Sequence, residues 1–327
     1  MRDFKTIDEQ IKILKDRKLI FINEETAKLN LMRYGYYEII NGYKDFMLES
    51  RDPDVYKKGA TFEHLFELYK LDKSFKNSVL ESSLNFELNL KTSFSYVLSK
   101  KFGVKNNSYL DKSLYKLGKQ DKDGVYQLDY LFNKFDLIIN DNLEPYKHYR
   151  EDHGHTPPWI LFKGCSFGNM KHFYNLQKGF IKDEITSLML GYPIELVKQL
   201  PECKALFSDL LNLTYVFRNR AAHSGRIYNY TPKYGKIRYN KIFHQINIIN
   251  INEAEYRLGY GTNDLYTLTV FLKVLENKTP SLDLISSLII SIEDHLEKYP
   301  EDRFFLLSSI GVPKNKIDND IRKIFWH

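Results

Sequence analysis

The chain has 327 residues, 43% hydrophobic and 28% charged, enough apolar material for one large domain or two modest ones and enough charge to keep a surface in water. Its net charge of +6 is compatible with a nucleic-acid partner without specifying one. Cys165 and Cys203 are its only cysteines, which excludes a zinc quartet and a disulfide framework and fits a reducing compartment. The first residues carry no apolar leader core and no run of 18 apolar residues occurs, so the expectation is a cytoplasmic protein with no membrane partner.

Residues 6–35 read as two short helices. Thr6 and Asp8 are candidate N-caps for the first, with Ile11, Leu14 and Leu19 on one face; Ala27, Leu31 and Tyr34 mark the second. The segment RYGYYEIINGYKDFM, 33–47, clusters tyrosines around Gly35 and Gly42. Its plain reading is a small packing module, and its sharper one an RNA-gripping surface. A Pro/Gly/Lys loop at 51–59 is the best boundary. It divides the chain into an N-terminal helical module, 1–58, and a larger helical domain, 59–327, with a Tyr/Asn-rich insertion around 227–262. From Thr61 to Phe102, apolar residues recur at helical spacing from Leu65 to Val97. A helix of that length is expected to break or kink once. Glu87 and Lys91 form an i, i+4 pair, read as solvated, with a site-orienting carboxylate as the alternative.

Residues 104–124 read as loop with short helical pieces, and 128–149 as helical until Pro145. EDHGHTPPW, 151–159, brings His153 and His155 near Asp152, but H-x-H in a Gly/Pro loop lacks metalloenzyme spacing, so no metal is expected. A helix over 159–176 is interrupted by SFGN at 166–169, and two shorter ones flank Gly191 and Pro193. Residues 246–252, INIININ, roughly alternate and could pair as a strand. Helices at 265–275, 282–296 and from Arg303, ending at Gly311, complete a mostly α chain.

The most informative stretch is LFSDLLNLTYVFRNRAAHSGRIYN, 206–229. Leu206, Leu210, Leu213 and Phe217 make one buried helical face. Arg218, Asn219, Arg220 and His223 follow directly, and Gly225 offers a helix stop. Arg218 and His223 diverge by roughly 140° on a continuous helix; they would converge on one pocket if the helix ends near Ser224 or if a second copy of the helix packs against the first. An arginine followed five or six residues later by histidine also occurs at Arg150/His155, Arg238/His244 and Arg322/His327. Only Arg218 ends a long apolar-periodic segment and is followed by Asn.

With these residues in view, the chain resembles the abortive-infection AbiD/AbiF family, bacterial phage-defence proteins of HEPN type. The resemblance runs through QIKILKDRKLIF, LMRYGYYEIINGY, LNFELNLKTSFSYVLS, PPWILFKGCSFGNMKHFY, FRNRAAHSGRIYN, LYTLTVFLKVL and YPEDRFFLLSSIGVP. It departs where the family often has two histidines in succession; here Ser224 follows His223. The resemblance implies a HEPN-like helical bundle and metal-independent RNA cleavage, with no cofactor. Arg218 and His223 would be the catalytic pair. Asn219 would orient the histidine or bind a phosphate, and Arg220 and Arg226 would grip phosphates. The chemistry suits the residues, because RNA supplies its own 2′-OH nucleophile, an imidazole moves protons and a guanidinium stabilises a phosphorane.

The implied partners are a target RNA, an associated non-coding RNA and a second copy of the chain. The competing reading is a non-catalytic RNA-binding protein that holds a structured non-coding RNA; a protein scaffold and a DNA-binding regulator are weaker. The alternative to a homodimer is a monomer whose site is completed by Glu87 or His155.

Overall fold

The computed structural model describes residues 4–246 and 249–326. Helix α1 (Ile7–Asp16) starts at Thr6, not Asp8: the Glu9 amide donates to Thr6 Oγ1 at 3.3 Å and the Thr6 amide to Glu9 Oε2 at 2.8 Å, a reciprocal capping box. Asn23 caps α2 (Glu24–Tyr34). The tyrosine-rich segment then winds through a π-turn, Tyr37–Asn41, and a 3-10 turn, Lys44–Met47. Where a loop was expected from Arg51 onward, an antiparallel hairpin forms from β1 (Leu48–Arg51) and β2 (Asp54–Tyr56).

Helix α3 (Phe62–Phe102) runs unbroken for 41 residues, about 60 Å at 1.5 Å per residue. The expected break is absent. Sharp kinks need proline, glycine pairs or an inserted group, and this stretch contains neither proline nor glycine. Thr61 caps its start through the His64 amide (3.1 Å), and Gly103, at φ 76°, ends it.

Around α3 are wrapped α4 (Gln127–Ile139), α5 (Tyr146–Asp152), α6 (Pro158–Gly164), α7 (Phe167–Leu176), α8 (Gly179–Leu190), α9 (Ile194–Gln199) and α10 (Pro201–Ala222). Helix α4 stops at Ile139, short of Pro145, because the Asn140 side chain folds back onto the Asp136 carbonyl at 2.9 Å. Ser166 caps α7 and makes the expected interruption. After α10 come the short α11 (Lys241–His244) and α12 (Glu253–Arg257), then α13 (Leu265–Phe271), α14 (Thr279–Lys298), α15 (Arg303–Ser309) and α16 (Ile321–Trp326). The strand expected at 246–252 falls partly on Asn247 and Ile248, outside the described residues. Its flanks make a turn, with the Ile251 amide on the His244 carbonyl at 2.8 Å.

Helices α3 and α14 pack antiparallel along a seam of hydroxyls. Ser74 meets Ser291 (2.7 Å), Ser78 meets Ser287, Ser82 donates to the Pro280 carbonyl (2.7 Å) and Asn85 to Asp283 (2.8 Å). One apolar core runs from Ile11 to Phe325 and includes Tyr43 and Tyr56 from the first sixty residues. The architecture is mostly α, and among the described residues no helix is long and apolar enough to cross a membrane. Both cysteines are buried and free.

Candidate active site at the end of a buried helix

Helix α10 begins with Pro201 in its first turn and buries Leu206, Leu210, Leu213, Phe217 and Ala221. It runs antiparallel to α3: Phe207 stacks on Phe86 near its start, and the residues beyond its end reach Asp72. The helix runs through Ala222 with His223 as its C-cap, so it ends beside Ser224, as convergence of Arg218 and His223 within one chain requires, and no hydrogen bond joins the two side chains among the described residues.

The stop is Ser224, not Gly225. Ser224 takes the left-handed conformation at φ 58°, its amide donates to the Ala221 carbonyl (3.2 Å), and the Gly225 amide reaches back to Arg220 (2.9 Å). That pair of bonds is a Schellman closure. Gly225 serves a different need, since a Cβ there would lie 2.2 Å from Arg220 Nε.

The sequence after the stop is clamped by one carboxylate. Asp72 is fully buried on α3. Its Oδ1 accepts from the amides of Ile227 (2.9 Å) and Tyr228 (2.8 Å), and its Oδ2 from the Tyr43 hydroxyl (2.7 Å), with Lys76 Nζ at 3.6 Å. Tyr43 stacks on Tyr228, and Tyr228 packs against Phe305. Burial pushes the Tyr228 phenol up to about 12, and burial with the Asp72 charge raises Tyr43 further, so both stay neutral. The tyrosine-rich segment is therefore, at Tyr43, a packing pillar beneath the motif, while Tyr37 is exposed.

On this base the motif side chains have distinct settings. The Arg218 guanidinium is half-buried, has no carboxylate partner among the described residues, donates from Nη1 to Asn219 Oδ1 at 3.2 Å, and holds its Nε buried without a bond. The Asn219 carboxamide is thus turned to Arg218, not to His223 as expected for an orienting role. The His223 side chain is exposed and has no bonding partner among the described residues. Arg220 donates to the Arg226 carbonyl (3.1 Å) and lies over the Tyr230 ring at 4.9 Å. Arg226 donates to the Gly42 carbonyl, tying the motif to the N-terminal segment.

Neither candidate for completing the site within one chain is near it. Glu87 lies 15 residues along α3 from Asp72, about 22 Å. Its pair with Lys91 (2.7 Å) is largely buried rather than solvated. His155 adjoins Thr156, whose carbonyl accepts from Tyr109 (2.6 Å) beyond the far end of α3. His153, His155 and Asp152, close in sequence, do not bond one another through their side chains among the described residues. His148 takes Asp152 (2.6 Å) and His153 (3.3 Å), while His155 turns to the His153 carbonyl.

Sequence reasoning passed over Asp72, although an acid at 72 interrupts the stripe Leu65, Leu68, Phe75, Val79, and that interruption is the signal. No curated protein and no solved structure matches the chain. The sequence model of the Abi-like proteins matches residues 30–229, from the tyrosine-rich segment to the last residue of the R-I-Y-N run. That match covers more than half of the 327 residues and includes both sides of the Asp72 clamp, and the chain belongs to the Abi-like, that is abortive-infection-like, protein family.

Proposed function

We propose that this chain is a HEPN-type ribonuclease of phage defence, cutting RNA without a metal through Arg218 and His223. The observation that carries the reading is Arg218. Of the half-buried arginines, Arg17, Arg150, Arg220, Arg226 and Arg303 each have a carboxylate or carbonyl partner, whereas Arg218 bonds only its neighbour Asn219 and keeps a buried Nε unbonded. A partly desolvated cation with no anionic partner carries a cost that an anion meeting it would offset. A scissile phosphate is such a group, and a planar guanidinium suits the charge of its phosphorane.

In the reaction, the 2′-oxygen attacks the adjacent phosphorus as its proton passes to an imidazole. The bond from phosphorus to the 5′-oxygen breaks, and that oxygen takes a proton from a second imidazole, leaving a 2′,3′-cyclic phosphate and a 5′-OH. Arg218 holds the equatorial oxygens, and Asn219 fixes Arg218. One chain offers a single exposed imidazole in the motif, with no hydrogen bond to Arg218 among the described residues. Two copies about a two-fold axis would supply acid, base and two guanidiniums in one cleft.

The test is cleavage of total RNA by wild type, Arg218→Ala and His223→Ala in chelating buffer, with the 5′ and 3′ ends of the products identified. Cyclic-phosphate ends made by wild type and lost in both variants are expected. RNA bound by wild type but never cut would replace the proposal with the RNA-holding reading. Mixing wild-type with His223→Ala chains should give impaired hybrids; sedimentation as a 38.8 kDa monomer while RNA is cut would overturn the dimer.

A further inference from the structure

Far from the motif in sequence and sharing no residue with it, His64, His295 and Asp302 converge. His64 is in the first turn of α3, His295 in the last turns of α14, and Asp302 in the 3-10 turn that precedes α15. Both imidazoles bring Nε2 to the same oxygen, Asp302 Oδ2, at 2.6 Å and 2.8 Å. The donor atoms of all three lie within 4.8 Å of one another, and no other such trio occurs among the described residues. We propose that these three side chains form a binding site for a divalent transition-metal ion of the zinc class, which staples the start of α3 to the C-terminal helices.

The argument rests on how poorly hydrogen bonding alone accounts for the cluster. Asp302 is fully buried, yet its two oxygens are used unequally. One is crowded by two ring nitrogens, and the other, Oδ1, is buried with no partner. An orphaned carboxylate oxygen carries an uncompensated desolvation cost. A cation between the three residues removes that imbalance, because Oδ1 becomes available for a second bond to it. Two imidazoles and one carboxylate are a donor set for zinc, iron, manganese or cobalt rather than for calcium or magnesium, which take oxygen ligands. Metal–ligand bonds of about 2.0–2.2 Å in tetrahedral geometry separate ligands by roughly 3.4 Å. The contacts at 2.6 Å and 2.8 Å would open by about 0.8 Å and 0.6 Å. Each imidazole would offer its Nε2 lone pair to the metal and hold its proton on Nδ1.

The rings are held for this. Tyr299 stacks flat on His64, centroids 3.7 Å apart and planes 4° apart, and Phe46 meets the same ring edge-on at 5.8 Å. An approach exists, since His295 also lines a surface cleft of about 210 Å³ with Glu67, Lys70 and Asp294. Water would complete the coordination. The role is structural: Phe46 stacks on Phe305, which packs on Tyr228, so the staple sits behind the pillar that carries the motif.

The experiment uses the full chain, stripped with chelator and titrated with zinc chloride against a colour-forming zinc chelator, and separately with cobalt chloride. Wild type should bind one equivalent per chain, show the visible bands of low-coordinate cobalt, and melt several degrees higher when loaded. His64→Ala and Asp302→Asn should each weaken binding at least tenfold, while His148→Ala with His153→Ala, which removes the exposed imidazole pair, should not. Absence of saturable binding by wild type, or unchanged binding in both ligand variants, overturns the proposal. If the ligand variants fail to fold, X-ray absorption on zinc-loaded wild type decides: two imidazole nitrogens support the site and none or one rejects it. No outcome depends on RNA cleavage, so the site and the ribonuclease reading can fail separately.

Discussion

The two ends of α3 are built differently. Toward its C-terminus the packing is aromatic and apolar: Phe94 stacks on Phe173 (5.3 Å), Phe173 meets Phe135 (5.2 Å) and Tyr115 (5.0 Å), and Phe162 closes the cluster. Toward its N-terminus the helix also buries Phe62, Leu65, Leu68 and Phe75, and to this apolar packing it adds buried polar groups with long-range partners. Asp72 clamps Ile227 and Tyr228, Tyr43 bonds Asp72, and His64 meets Asp302. Apolar packing is non-directional and tolerates small shifts. A bonded carboxylate fixes two amides to within a fraction of an ångström. Both ends contribute apolar packing to stability, and the bonded end additionally fixes position, which the proposed cleavage would need.

The sharpest break in that comparison is chemical. His223→Ala should lower cleavage roughly 10²–10⁴-fold, and Arg218→Ala roughly 10²–10³-fold, with melting temperatures near wild type because neither residue fills the core. Single-turnover rates beside thermal melts check both. Normal cleavage by the double variant would remove the motif from the chemistry.

The next pair sets the two ends against each other. Phe173→Ala should cost about 3–5 kcal/mol of stability but leave cleavage per folded molecule within a few-fold of wild type. Asp72→Ala strands two amides and a hydroxyl at about 1–3 kcal/mol each, and should also lower cleavage by the folded fraction at least tenfold. Denaturant midpoints with active-site titration separate these outcomes. If both variants lose only stability, the division of labour is wrong.

A smaller effect is expected from acid. His244 is fully buried against Tyr239, Tyr256 and Phe271, and burial lowers its pKa below 6.5, opposed by its contacts with Gly261 and Asn240. The unfolded chain then binds the proton more readily, so this stability is present above pH 6.5 and is lost as the pH falls through the folded-state value. His244→Gln should flatten the decline in melting temperature between about pH 6.5 and 5; an unchanged slope would exclude His244 as its source. The smallest effect falls on Arg220, where alanine should reduce the salt slope of RNA binding by about one unit. An unchanged slope would confine Arg220 to its bond with Arg226 and its place over Tyr230.

What could be read from sequence was local. The stripe ending at Phe217, the Thr6 cap and the interruption at Ser166 all follow from spacing and side-chain type within a few residues. The rest depends on pairings no local pattern carries: Asp72 with amides 155 residues away, Arg226 with a carbonyl 184 residues away, and His64 with Asp302 across 238. Even so, two residues with distant or buried polar partners left marks. Asp72 and His295 both interrupt apolar stripes, the latter after Leu284, Leu288 and Ile292, and a titratable residue at a core position needs a partner somewhere.

Ser224 constrains how this segment can evolve. Its left-handed backbone is open at low cost to glycine and, among residues with a Cβ, chiefly to asparagine, aspartate and histidine; β-branched residues are nearly barred. A histidine at 224 belongs to that short set. Variation beside His223 would then be filtered by chirality before any selection for catalysis acts, and a saturation library at 224 should rank its members the same way whether survival depends on folding or on cutting.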